Sequence, residues 1–80
     1  MANVRHLDVA LLDWEARLIL KALSAEQQRL LTLAQETEDE DVAADAGNDS
    51  IEASLLLERV AEQAKSVFGD QIMVFSEVAR

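Results

Sequence analysis

Apolar residues recur at helical spacing through the first part of the chain. Leu7, Leu11, Trp14 and Leu18 follow the i, i+4, i+7 rule, which places them along one side of a helix. Successive helical residues are about 100° apart, so a second apolar stripe lies roughly 120–140° further round. This second stripe consists of Leu12, Ala16, Ile19 and Leu23. A helix with two apolar sides needs two neighbours, and we expect one within the chain and one in a second subunit.

The extent of this first helix has two interpretations. The apolar spacing predicts one long helix over residues 4–36. Ser24 and Gln27, however, have the spacing of a capping box, in which both side chains satisfy backbone N–H groups at a helix start. Since a serine is also tolerated on the polar side of an unbroken helix, the first helix is either continuous or broken near Ser24.

A second helix is predicted over residues 50–68. One continuous apolar side is made by Ala53, Leu56, Leu57, Val60, Ala61, Ala64, Val67 and Phe68. Ile51 and Leu55 fall outside that side and indicate a second contact. Gly69 supplies a stop, because glycine readily adopts the conformation that ends many helices. Residues 70–80 follow as a C-terminal tail, in which 72–75 favour an extended segment that either packs on the helices or pairs with its copy across a dimer.

Composition supports an all-α fold. Among the 80 residues none is proline, two are glycine and three are aromatic, while half are apolar. A chain of this length buries only about 60% of its unfolded surface, so a lone monomer is marginally stable. We therefore predict a single domain over 1–80, an antiparallel hairpin of two long helices, and its assembly into a dimeric helical bundle.

Negative charge is concentrated in the middle of the chain. The 16 Asp and Glu residues outnumber the 7 Lys and Arg residues, for a net charge of -9, and no base lies between Arg29 and Arg59. The acids in that interval are Glu36, Glu38, Asp39, Glu40, Asp41, Asp45, Asp49, Glu52 and Glu58. Clustered carboxylates are unfavourable at a helix C-terminus, so we predict an acidic connector over 37–48, with Asn48 or Asp49 capping the second helix.

Few residues have the chemistry of a catalytic or metal site. Cysteine is absent and His6 is the single histidine, so thiolate metal sites and a Ser–His–Asp arrangement find no support. Four acids, Asp41, Asp45, Asp49 and Glu52, match ligand positions of a calcium loop, but the required glycine is one place out of register. We expect no catalytic residue, no cofactor, no specific metal site and no enzymatic activity.

Residues 41–54 resemble the bihelical helix-turn-helix unit. Ala43 occupies the place of the small residue in the first helix, and Gly47, four residues later, occupies the place of the turn. The resemblance implies a DNA-binding helix after the turn, but that helix carries more acids than bases and would repel phosphates. We therefore expect no direct nucleic-acid binding. The alternative function is a nucleic-acid-linked regulator, either a helix-turn-helix relative or an acidic DNA mimic that inhibits a DNA-binding protein.

Taken together, these patterns favour a non-enzymatic protein–protein interaction or regulatory module that forms a homodimer. The candidate partner interface consists of Leu7, Leu11, Trp14, Leu18, Ile51 and Leu55. The candidates for steering a basic protein partner are Glu36, Glu38, Asp39, Glu40 and Asp41. Apolar runs reach only four residues, whereas a membrane span needs roughly 20. Acids also interrupt the first apolar stretch, unlike the core of a signal peptide, so we expect a cytoplasmic protein.

Overall fold

The computed structural model describes residues 5–74 of the chain. Within them, two α-helices are followed by one short 3₁₀ helix: α1 over Asp13–Glu36, α2 over Glu40–Phe68, and the 3₁₀ helix over Asp70–Met73. The two α-helices pack against each other. The prediction of an all-helical fold with two long packed helices is therefore confirmed for the described residues.

The first helix starts later than predicted and is unbroken. α1 begins at Asp13 and runs through Ser24 without interruption. The backbone N–H of Leu12, the N-cap residue, donates to Oε1 of Glu15 at 2.8 Å. This bond satisfies a backbone donor at the helix start, and acids in the first turn are favoured by the helix dipole. The predicted helical structure over 5–12 is therefore wrong, and of the two alternatives at Ser24 the structure has the continuous helix.

The acidic connector is also shorter than predicted, since it covers only 37–39. Oδ1 of Asp39 accepts hydrogen bonds from the backbone N–H groups of Asp41 at 2.9 Å and Val42 at 3.2 Å, and so caps α2. The acids from Glu40 onward consequently lie at the N-terminal end of a helix, where its dipole stabilises them. The sequence-based prediction placed these acids after the C-terminal end of α1, where the helix dipole disfavours negative charge.

α2 continues through Gly47, where the helix-turn-helix resemblance requires a turn. One turn later Ser50 is buried, and its hydroxyl donates to the carbonyl oxygen of Gly47 at 2.9 Å. Asn48 and Asp49 lie inside the helix and do not cap it. Residues 41–54 form one helix without a turn, so the resemblance to the bihelical unit is wrong.

A small core joins the beginning of α1, the end of α2 and the 3₁₀ helix. Its buried members are Ala16, Leu20, Ala61, Ala64 and Ile72. The two largest of them, Leu20 and Ile72, are completely buried. Gly69 ends α2 at the predicted residue, but its φ of 95° and ψ of 169° are not the left-handed helical conformation that ends many helices. The 3₁₀ helix that follows carries Ile72 into the core. This part of the tail packs on the helices and is not extended, while residue 75 onward lies outside the described residues.

The molecule is flat, with two long dimensions and one short one. Its extents are 45 × 41 × 15 Å and its radius of gyration is 15.2 Å, whereas a compact chain of this length has a radius of gyration of about 11.6 Å. Most domains bury their apolar surfaces between two layers of secondary structure. The two helices form a single layer, and within residues 5–74 neither is long and apolar enough to cross a membrane.

Candidate interaction surfaces

The residues predicted as one partner interface are divided among three places. Leu7 and Leu11 precede α1, and Leu11 is half-buried against the core. Leu7 is 87% exposed. Together with Val9 they border a shallow groove of about 290 Å³, whose other wall includes Val67 and Phe68 of α2. These two leucines therefore lie where the beginning of α1 meets the end of α2, and they do not extend an α1 stripe.

Trp14 and Leu18 lie on the outer side of α1. Each is 58% exposed, and each precedes a buried residue of α1 by two positions, which places it about 160° away from that residue around the helix. Arg17 and Lys21 border the same surface and line a concavity with the two apolar side chains. The result is a local patch of apolar and basic side chains that faces away from α2.

Ile51 and Leu55 lie on the exposed part of α2. Their exposed fractions are 59% and 56%. Leu55 is about 140° around the helix from the buried Ser50, and Ile51 is about 100° from it. Trp14 and Leu18 face away from α2, and Ile51 and Leu55 face away from α1. These four residues therefore do not combine into one continuous interface.

A further apolar surface, missed by the sequence reasoning, borders the contact between the helices. On α1, starting from its N-cap, every seventh residue forms a row: Leu12, Ile19, Glu26 and Leu33. On α2, the same spacing forms a second row: Val42, Asp49 and Leu56. The apolar members within the helices are 37–44% exposed, less than the outward-facing residues above, because they sit beside the interhelical contact. Their shared spacing of seven residues was the signal available in the sequence.

Glu26, in the middle of the α1 row, forms a bidentate ion pair with Arg29. Nη2 of Arg29 donates to Oε2 of Glu26 at 2.7 Å, and Nε donates to Oε1 at 2.9 Å. These hydrogen bonds from Arg29 hold the pKa of the Glu26 carboxyl below its ordinary value. The acid in the middle of the α1 row therefore carries its own counter-charge.

The candidate steering acids are exposed around the connector and the start of α2. Glu36, Glu38, Glu40 and Asp41 are exposed. Asp39 is exposed as well, but its carboxylate also has a structural role as the cap of α2. The acidic surface continues along the helix as an acidic ridge, which consists of Asp41, Asp45 and Glu52 within an arc of about 40° and a length of about 16 Å.

The acids that matched a calcium loop lie along α2 and do not converge on a point. Within residues 5–74, no group of three or more His, Cys, Asp or Glu side chains is arranged to hold a metal ion. Comparison with known proteins finds no matching family model, no similar curated protein and no similar solved structure. Function is therefore inferred from geometry, exposure and charge.

Proposed function

We propose that the protein is a non-enzymatic protein–protein interaction or regulatory module that acts through apolar helix faces as a homodimer. One observation carries the proposal. Fourteen large apolar side chains in the described part of the chain are exposed, whereas Leu20 and Ile72 are the large ones completely buried. A small helical unit that leaves most of its large apolar side chains exposed has apolar surface available for a partner.

In this proposal the two helices form an antiparallel hairpin. A connector of three residues, 37–39, supports this arrangement because it is too short to carry the chain back along a helix. The core supports it as well, since Ala16 and Leu20 near the start of α1 cluster with Ala61 and Ala64 near the end of α2. Two such hairpins make a four-helix bundle, in which each layer covers the other.

Sedimentation equilibrium at micromolar concentrations tests the homodimer. We expect a dimer, and a melting temperature that rises with protein concentration, because association stabilises the folded chain by mass action. Added salt should strengthen the dimer, since it screens repulsion between two chains that each carry a net charge of -9. A stable monomer throughout that range would contradict the homodimer.

The exposed acids give the module its preference for a basic partner. Electrostatic attraction raises the rate at which a basic surface meets this end of the hairpin, and salt weakens it. The test compares binding of a lysine-rich peptide to the wild type and to a variant in which Glu36, Glu38, Glu40 and Asp41 are replaced by Gln or Asn. Asp39 is kept because it caps α2.

We expect the neutralised variant to bind the peptide more slowly and with a smaller salt dependence. A matched control neutralises four acids elsewhere: Asp8, Asp13, Glu58 and Glu62. If both variants bind the peptide equally, the connector acids have no particular role, and net charge alone explains the attraction.

An acidic DNA mimic is the second candidate, and the acidic ridge is the observation that favours it. Residues one helical turn apart, such as Asp41 and Asp45, are separated by about 6 Å along the axis. One DNA strand presents a phosphate every 3.4 Å or so. The ridge therefore has roughly half the linear charge density of a strand, so we rank this function second. It predicts that the protein competes with a DNA duplex for a DNA-binding protein.

A further inference from the structure

We propose that the second copy docks on one particular side of the hairpin, the cross-helix face. Its apolar members are Leu12, Ile19 and Leu33 of α1 and Val42 and Leu56 of α2. This inference rests on the proposed function, because it requires the antiparallel hairpin and self-association. It replaces the interface predicted from the sequence, which included the outward-facing Trp14, Leu18, Ile51 and Leu55.

Helix geometry places both rows on the same side of the layer. Ile19 immediately precedes the buried Leu20, and Asp49 immediately precedes the buried Ser50. The buried residue of each helix points toward the other helix. Each row therefore lies about 100° around its helix from that direction, and in both helices the rotation is toward the preceding residue in the chain. Seen from one end of an antiparallel pair, the two helices turn in opposite senses. The two displacements consequently point to the same side, and the rows form one face across the contact.

The opposite side of the layer has a different composition. Residues displaced in the other direction are Arg17, Ser24, Gln28 and Gln35 on α1, and Gly47, Ser54, Glu58 and Lys65 on α2. They are mainly polar, although Leu31 and Ile51 also lie toward this side. The hairpin is thus amphipathic as a layer, with an apolar side suited to a second layer and a polar side suited to water.

The exposed area agrees with a missing second layer. The chain exposes 6364 Å² and has a mass of 8.8 kDa, whereas a folded monomer of that mass exposes about 4,800 Å². Part of this difference of about 1,600 Å² belongs to chain outside the helices, such as residues 5–10, which are all exposed; a standard interface takes roughly 800 Å² from each partner. A second copy supplies a layer of matching length and composition, so it is the occupant to which we commit.

Charge permits two acidic copies to meet on this side. The acids that lie on it are Glu15, Glu26, Asp45 and Asp49. Glu15 accepts the backbone N–H of Leu12, and Glu26 is paired with Arg29. Because most of the remaining acids lie on the outer side of α2, on the polar side or around the connector, face-to-face docking keeps them at a distance from their copies.

Neighbouring residues allow a matched test on each helix. Leu55 and Leu56 are exposed leucines about 100° apart on α2, and only Leu56 belongs to the cross-helix face. Leu18 and Ile19 form the corresponding pair on α1. Each residue is replaced singly by lysine, which lowers the net negative charge by the same amount in every variant. General repulsion between copies therefore decreases equally, and any loss of association reflects the position of the charge.

We expect Leu56→Lys and Ile19→Lys to raise the dimer Kd by at least about 100-fold, because a two-fold dimer carries each unpaired charge twice in an apolar contact. Leu55→Lys and Leu18→Lys should leave the Kd unchanged or lower it slightly. Sedimentation equilibrium measures the Kd, and far-ultraviolet circular dichroism confirms that each variant keeps its helices.

The other outcomes separate this inference from the proposed function. If Leu55→Lys or Leu18→Lys dissociates the dimer as strongly as its neighbour does, the cross-helix face is wrong while the homodimer stands. If the wild type is a monomer, both the face and the homodimer fail, and the occupant of the apolar surface is a different protein.

Trp14 provides a readout that needs no variant. It is the single tryptophan and lies on the outer side of α1, away from the cross-helix face. Dilution of the wild-type dimer should leave its emission maximum and its quenching by acrylamide unchanged. A blue shift and protection from acrylamide on association would place Trp14 in the interface and overturn the inference, even if the lysine variants fail to fold.

Discussion

Replacing Gly47 by alanine is expected to stabilise the protein. Gly47 lies within α2, and a Cβ added there meets no atom within 4 Å outside the adjoining helical backbone. Alanine in a helix interior is favoured over glycine by about 1 kcal/mol, partly because it restricts the unfolded chain. In a domain of this size, 1 kcal/mol corresponds to a rise in Tm of about 4–8 °C.

The same replacement at Gly69 should have the opposite sign. Its φ of 95° and ψ of 169° lie where side chains are strained, at a cost of about 1–3 kcal/mol. The added Cβ would also lie 2.6 Å from Oε1 of Gln71. That side chain can move, but it would give up the hydrogen bond from its Nε2 to the carbonyl oxygen of Phe68. We expect Gly69→Ala to lower the free energy of unfolding by about 2 kcal/mol or more.

Urea unfolding followed by circular dichroism measures both changes. Protein concentration must be the same in every sample, because association shifts the apparent stability. If Gly47→Ala is less stable than the wild type, residue 47 is not in a helix. It would then have a backbone conformation that alanine adopts poorly, such as the turn of a bihelical unit. An unchanged stability of Gly69→Ala would show that the chain does not turn at residue 69 with positive φ.

Three further substitutions probe the core, the cap and the ion pair. Ile72→Ala should cost about 2–5 kcal/mol in urea unfolding because Ile72 is completely buried, whereas Val74→Ala, at an exposed site, should change stability by less than about 0.5 kcal/mol. Asp39→Ala should cost about 1 kcal/mol and Asp39→Asn, which retains a capping oxygen, much less; equal losses would argue against the cap. Glu26→Gln should destabilise slightly at neutral pH. Since hydrogen bonding to Arg29 lowers the pKa of folded Glu26, that difference should shrink as pH falls below the ordinary value of 4.5, and a difference that grows in acid would contradict the assigned ion pair.

Local signals predicted several features correctly. The helical class, the end of α1 near residue 36 and the end of α2 before Gly69 follow from spacing and from a glycine stop, which act within a few residues. The start of α2 was misplaced although its signal is also local. Asp39 and the acids after it have the composition of a helix N-terminus, whereas charge repulsion among the same acids predicts a connector over 37–48.

The candidate interface could be predicted only in part. Exposed apolar residues at Trp14 and Leu18 follow from the spacing within α1. The spacing assigns Leu11 to their stripe, yet α1 begins two residues later and Leu11 packs against the core. Spacing describes directions around one helix, so it cannot show which residues of two helices share a side. The relation between Ile19 and Leu56 needs the packing of α1 on α2.

By itself, the sequence determined two long helices, their apolar sides and an acidic middle, because helix periodicity, capping and charge repulsion depend on residues close together in the chain. Only the tertiary structure decided that Leu20 and Ile72 fill the core, that α2 continues through Gly47, and that the rows beside the contact are partly covered. These features depend on contacts between residues far apart in sequence. Burial of Leu20 against Ile72 and the alanines of α2 is a property of the packed pair, which neither helix possesses alone.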